Sequence, residues 1–258
     1  MTARRANVPL VFLNAFPLDS EQWEPLLAVL DAPVGDIITF DPPGIGEMPA
    51  SPEDPSLELI ADAAVAAMRE VTGSADALWV GCSMGGYVAM AVLERHPDAV
   101  AGIGLLATKA AADTEAVKAR RLEAATAAMA HDGLVDPTDT ARGLLGAFSG
   151  ERESLVGATT ANLARQRGEG VAWGQLAMAA RPSRLEVLRG ADVPAFVARG
   201  DQDGLTSDDD AAAMADALGV ELTRIGAAGH LLAMEAPEAV ARLIGALATA
   251  ANEQRGGS

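Results

Sequence analysis

Short, continuously apolar runs alternate along the chain with segments whose apolar residues recur every three or four positions. The runs are Leu10 to Phe16, "DIITFD" (36–41), "ALWVGC" (77–82), "VAGIGLLAT" (100–108), "VPAFVARGD" (193–201) and "ELTRIGA" (221–227). A run that is apolar throughout is what a strand buried on both faces requires. Helical periodicity fills the spaces between them. Ser20 is placed to cap a helix over Trp23 to Leu30, and Ser56 opens "LELIADAAVAAMREV". "MGGYVAMAVLERH" is stopped by Pro97, "DDDAAAMADAL" follows the fifth run, and a last helix starts at Pro237. Acids such as the run at 208–210 suit a helix N-terminus, where the peptide dipoles favour negative charge.

Six strands separated by helices predict an α/β fold, a parallel sheet covered on both faces with right-handed crossovers. Ligands of such sheets bind beyond the carboxyl ends of the strands. Those ends are Phe16, Asp41, Ser83, Thr108, Asp201 and about Ala228. The alternation breaks between Thr108 and about Arg189, where four helical segments occur and no clear strand. A helical insertion there would sit over the strand ends as a lid. The expected division is a core of residues 1–108 and 190–258, with a helical cap at 109–189.

Composition narrows the classes. At 258 residues, half of them apolar, the chain can bury one sizeable core, and its 3% aromatic content predicts a core of small aliphatic side chains. A formal charge of −17 repels phosphate backbones and anionic lipid, so neither nucleic acid nor a membrane is an expected partner. Cys82 is the only cysteine, so no intramolecular disulfide and no thiolate metal cluster is available. The N-terminal apolar run ends at Pro17 and Asp19 before it takes signal-peptide form, and no stretch is long enough to span a bilayer. The cytoplasm is the expected location.

Candidate chemistry begins at "WVGCSMGGYV" (79–88), which places Gly81, Ser83 and Gly85 in a G-x-S-x-G pattern between a strand and a helix. It reads either as an ordinary glycine-rich corner or as an elbow that holds the Ser83 hydroxyl exposed on a strained backbone, with a helix N-terminus beneath it. A serine nucleophile needs a base, and there are three histidines. His96 ends a helix before Pro97, where capping explains it. His131 lies in the insertion beside Asp132 and Gly133, a solvated position. His230, in "GAAGHLLAMEAPE", follows the last strand and so falls at the ligand-binding end of the sheet. An acid to orient its ring is offered by "VARGDQDGLTSDDD", in which Asp201 and Asp203 follow the fifth strand.

With the order Ser83, Asp203, His230, the chain resembles the α/β-hydrolase superfamily, in particular its lid-bearing esterases, enol-lactonases and cofactor-free haloperoxidases. Besides the elbow, "FLNAFPLDSEQW" resembles the family's H-G-x-P segment and "DPPGIGEM" its D-x-x-G-x-G-x-S loop. "GDQD" resembles its G-x-x-D acid turn and "GHLLAMEAPEAV" its final histidine segment. The resemblance implies Ser83 as nucleophile, His230 as base and Asp203 as acid, with Asp201 as runner-up. It implies an oxyanion hole from the backbone N–H groups of Phe16 and Met84, and no metal or organic cofactor. Asn14 and Ala15 replace the usual His-Gly, and Met48 stands where the family has serine. Nine residues before Leu10 leave no room for the family's antiparallel N-terminal hairpin, so the expected sheet is six-stranded and all parallel in the order 2-1-3-4-5-6.

Asn14 is a candidate substrate contact, and Trp173 and Met178 read equally as substrate contacts or as lid packing. Trp23 and Trp79 are expected in the core, and Cys82 as a small buried filler. Arg181 and "KARR" (118–121) read as solvated helix surface or as an anchor for a carboxylate-bearing substrate. The expected activity is hydrolysis of a small carboxylic ester or lactone through an acyl-enzyme, with C–C bond hydrolysis and perhydrolysis as alternatives on the same triad. A weakly catalytic ligand receptor is the alternative of a different class.

Overall fold

The computed structural model describes residues 7–147 and 152–257. Its six strands are β1 (Leu10–Leu13), β2 (Ile37–Phe40), β3 (Ala77–Cys82), β4 (Val100–Leu106), β5 (Ala195–Gly200) and β6 (Leu222–Ile225). They form one sheet in the order β2-β1-β3-β4-β5-β6, and every pairing is parallel. The order reverses at β1, which pairs on one side with β2 and on the other with β3. A parallel sheet of this kind opens a crevice at that reversal.

The helices are α1 (Glu24–Leu27), α2 (Leu57–Thr72), α3 (Met84–Arg95), α4 (Glu115–His131), α5 (Pro137–Leu144), α6 (Arg152–Ala164), α7 (Gly168–Ala180), α8 (Leu185–Arg189), α9 (Asp208–Leu218), α10 (Leu232–Glu235) and α11 (Pro237–Gly257). Two apolar cores lie on opposite faces of the sheet because successive strand residues point to opposite sides. Val11, Leu13, Trp79, Ile103, Leu105 and Val197 pack with α2, α3 and α9. Leu10, Phe12, Leu78, Val80, Leu106 and Phe196 pack with α11 and with Trp23 and Leu26. Each central strand is thus apolar throughout because neither face meets water. β2, at the edge, is half exposed, with Ile37 at 42%.

Strand ends differ from the sequence expectation in one direction. β1 stops at Leu13 and not at Phe16, and β4 at Leu106 and not at Thr108. The residues beyond turn out of the sheet, and among them Phe16 lines the site while Asn14 and Thr108 make hydrogen bonds around it. Asp19, not Ser20, caps the first helical turn, accepting from the Glu21 N–H. The helix expected over Trp23 to Leu30 is a 3-10 turn at Ser20–Trp23 followed by α1.

Helices α4 to α8 occupy the stretch between β4 and β5. Ala125 and Ala128 of α4 pack on Val171 and Ala172 of α7, with Phe16 against them. Close approach requires glycine here. A Cβ on Gly170 of α7 would stand 1.9 Å from the Gly44 carbonyl oxygen, in the loop after β2. Charge fastens the same segment from below: the buried Asp19 accepts from Arg165 Nε at 2.7 Å, Asn162 Nδ2 at 2.8 Å and Gln166 Nε2 at 3.0 Å. These donors outweigh burial and hold its carboxyl below the ordinary value. No helix among the described residues is long and apolar enough to cross a membrane.

Candidate active site

Ser83 sits between β3 and α3 with φ 54° and ψ −115°, a region that L residues rarely occupy. The turn is that sharp because the flanking positions have no side chain. A Cβ on Gly81 would lie 2.2 Å from the Gly85 carbonyl oxygen, and one on Gly85 would lie 2.0 Å from the Leu13 carbonyl oxygen. Thr108, just past β4, donates to the Ser83 carbonyl at 2.7 Å and pins the turn from the neighbouring strand.

His230 approaches from the loop after β6. Its Nδ1 lies 3.0 and 3.1 Å from the two carboxylate oxygens of Asp203, and both residues are buried. Burial opposes the charge on Asp203, but the imidazole, the Thr206 hydroxyl and the Leu205 N–H outweigh it and hold the carboxyl at about 2. Asp201, the alternative acid, is exposed. Among the described residues no hydrogen bond joins the Ser83 hydroxyl to the His230 ring, although both line the same cavity. Such contacts are often long before substrate binds.

Glu235 braces the His230 loop, a role absent from the sequence expectation. Its carboxylate accepts from the N–H groups of Gly229 at 2.9 Å and Leu231 at 3.1 Å, on either side of His230, and of Gly146 at 2.7 Å. The His230 N–H in turn donates to the Leu144 carbonyl at 2.9 Å, so the insertion and the histidine loop hold each other. The only signal in the sequence was a glutamate one helical turn beyond the histidine. Cys82 is buried behind the loop, and burial pushes its thiol well above the ordinary value.

Asn14 is corrected from a candidate substrate contact to a bracket. It is 2% exposed and does not line the cavity. Its amide donates to Asp41 Oδ1 at 2.7 Å and accepts from the Trp23 indole at 2.8 Å, so both ends are used. Asp41 also accepts from the Ser20 N–H at 2.7 Å; burial nonetheless pushes its carboxyl up. This bracket fixes the turn that carries Phe16. Neighbouring amides are occupied: Ala15 N–H donates to Gln22 and Gly85 N–H to the Asn14 carbonyl. Those of Phe16 and Met84 donate to no group among the described residues.

The cavity holds about 570 Å³, within the range of small-molecule sites. Ser83, His230 and Phe16 form its floor, and its apolar wall comes from Val117, Leu134, Leu144, Met178 and Leu205. Of the two residues read as pocket lining or packing, Met178 lines the cavity, whereas the Trp173 indole donates to the Glu53 carbonyl at 3.0 Å away from it. Of the other histidines, His96 pairs with Asp62 at 2.7 Å and His131 is exposed. Among the described residues no group of three or more His, Cys, Asp or Glu is arranged to hold a metal.

A serine on a strained turn and a carboxylate-held imidazole, sharing one cavity at the strand ends of a parallel sheet, define a protein of the hydrolase class. The family model described as the alpha/beta hydrolase fold matches residues 8–237, and the chain belongs to that family. It is similar to a thermophilic esterase from Thermogutta terrifontis, solved with malate bound, at 27% identity over 93% of this chain and 88% of that one, with a TM-score of 0.86. An enol-lactonase from Burkholderia xenovorans is similar at 22% identity, covering 94% and 92% of the two chains, TM-score 0.81. An enzyme described as degrading N-acyl homoserine lactones is similar at 23% identity, 92% of each chain, TM-score 0.74. No curated protein matches.

Proposed function

We propose that this hydrolase acts on small carboxylic esters or lactones through an acyl-enzyme on Ser83. The observation that carries the reading is the cavity that brings the Ser83 turn and the Asp203-bound His230 together. Asp203 holds Nδ1–H, which leaves Nε2 free to take the Ser83 proton as Oγ attacks the carbonyl carbon. The oxyanion is met by the otherwise unoccupied amides of Phe16 and Met84, the latter at the N-terminus of α3. The tetrahedral intermediate collapses, His230 returns the proton to the leaving alkoxide, and the alcohol departs. For a lactone the alcohol stays tethered to the acyl group. Water then attacks the acyl-enzyme with His230 again as base, releasing the acid and restoring Ser83. The similarity to an esterase above one quarter identity supports the reading, and the helices of residues 109–189 would serve as its lid.

A panel of p-nitrophenyl esters, aliphatic lactones and a ring-fission diketone, run on the wild type and on Ser83→Ala, tests it. Expected is ester or lactone turnover that Ser83→Ala lowers by at least about a thousandfold. Turnover of the diketone alone would replace ester hydrolysis with C–C bond hydrolysis. A wild type no faster than Ser83→Ala on every compound would leave a ligand receptor as the reading.

A further inference from the structure

The charge lining the cavity is opposite to that of the molecule. On a chain with 36 Asp and Glu against 19 Lys and Arg, the charged residues along the cavity are Lys109, Arg120 and Arg121, with no carboxylate among the described lining. Lys109 follows β4 two residues beyond Ala107, next to the Thr108 that pins Ser83, and the two arginines project from α4.

Structural need accounts for only part of this. The buried Asp113 accepts from Arg181 at 2.7 and 3.0 Å, from Arg121 Nε at 2.6 Å and from Lys109 Nζ at 3.2 Å. Arg181 alone would neutralise it, being 2% exposed in its side chain, stacked 4.0 Å over the Tyr87 ring and bonded to the Met178 and Ala111 carbonyls. One carboxylate therefore serves three cations, and the two in excess are the ones on the cavity. Arg120 has no carboxylate partner among the described residues; its Nε reaches only the Ala116 carbonyl at 3.4 Å. Glu115, nearby on α4, is taken by Lys118 at 2.8 Å, and Asp203 lies behind His230. Lys109 and Arg121 are partly screened from water and Arg120 is exposed beside them; guanidinium bonds to carboxylate are charge-assisted, so the three together attract an anion.

We propose that Lys109, Arg120 and Arg121 form an anion subsite, and that the preferred substrates are esters or lactones bearing a second, ionised carboxylate. The proposal rests on the ester or lactone reading above, with the scissile carbonyl at Ser83 and the distal carboxylate against the three cations. Apolar residues lining the same cavity, Val117 and Met178 among them, offer contacts to the connecting methylenes.

Two esters of equal chain length test it: mono-p-nitrophenyl glutarate, with a distal carboxylate, and p-nitrophenyl valerate, with a methyl in its place. Rates are corrected for spontaneous hydrolysis, which the glutarate can assist. Expected is a kcat/KM ratio of glutarate to valerate of at least about ten, falling about tenfold or more in Arg120→Glu and shrinking with added salt. Arg120 is exposed, so this substitution does not threaten folding. Lys109→Gln lowers the same ratio by removing the second cation that reaches the cavity from the Asp113 cluster. A wild-type ratio near or below one, or a ratio unmoved by both substitutions, overturns the subsite while leaving ester hydrolysis standing. If neither ester is cleaved faster than by Ser83→Ala, the ester reading fails, and calorimetric titration of glutarate decides the subsite. Binding to the wild type that Arg120→Glu abolishes sustains it; no binding to the wild type overturns it.

Discussion

Ser83 keeps its backbone at φ 54°, ψ −115°, and the cost of that conformation for a residue with a Cβ is of order 1–3 kcal/mol. Replacement by glycine removes the strain together with the hydroxyl. Ser83→Gly is expected to unfold at higher denaturant, by about 1 kcal/mol, while losing hydrolysis altogether; a midpoint equal to or below the wild type would contradict this. At Asp203 the prediction concerns pH. Its folded carboxyl titrates at about 2, below its value in the unfolded chain. The stability it contributes is therefore complete above the unfolded pKa and lost as pH falls towards about 2, amounting to about 2 kcal/mol. Denaturant melts of wild type and Asp203→Asn should accordingly converge as pH is lowered through that window. Asp41 acts in the opposite sense, because burial raises it: its contribution is present at low pH and lost as pH rises through its folded value. The same Asp203→Asn change should lower kcat by about ten-thousandfold, since the wrong ring nitrogen would then carry the proton.

Among the elements, the short α10 matters more than its length suggests. Glu235 at its end accepts from the N–H groups of Gly229, Leu231 and Gly146. A glutamine there would turn an amino group towards donors. Glu235→Gln is expected to cost about 1–3 kcal/mol of stability. Assayed well below its melting temperature, it should lower kcat more than it raises KM, because the ring of His230 loses its bearing. Equal effects on both constants would mean that Glu235 only supports the fold. The elbow of β3 and α3 was legible from spacing, because glycine at both flanks has one local reason. Glu235 was not, because its three partners come from residues 146, 229 and 231, which only the folded chain brings together. Asn14 shows the converse: beside a motif, its polarity suggested substrate, yet Asp41 and Trp23 consume it.

Over the whole molecule, the stretch from α6 to α7 is held to the loop after β2 by glycine contact and to the turn after β1 by the Asp19 cluster. Asp19→Ala removes the acceptor that Arg165, Asn162 and Gln166 share, leaving Arg165 to Glu21 and Gln166 to the Asn162 carbonyl. Hydrogen exchange should quicken in α6 and α7 while the central strands stay protected, and uniform loss of protection would show that the clamp belongs to the global fold. What the sequence determined by itself was six strands alternating with helices and the glycine-flanked serine turn, because apolar runs and glycine spacing act over a few neighbouring positions; the strand order followed from the family resemblance. The choice of Asp203 over Asp201 was already indicated by the acid turn, and burial agrees with it. Tertiary structure alone decided the rest: that Asn14 and Trp173 are spent on structure, that Glu235 braces the histidine, and that cations face the cavity of an acidic protein. Each depends on which distant groups share a low-dielectric space, and separation along the chain does not encode that.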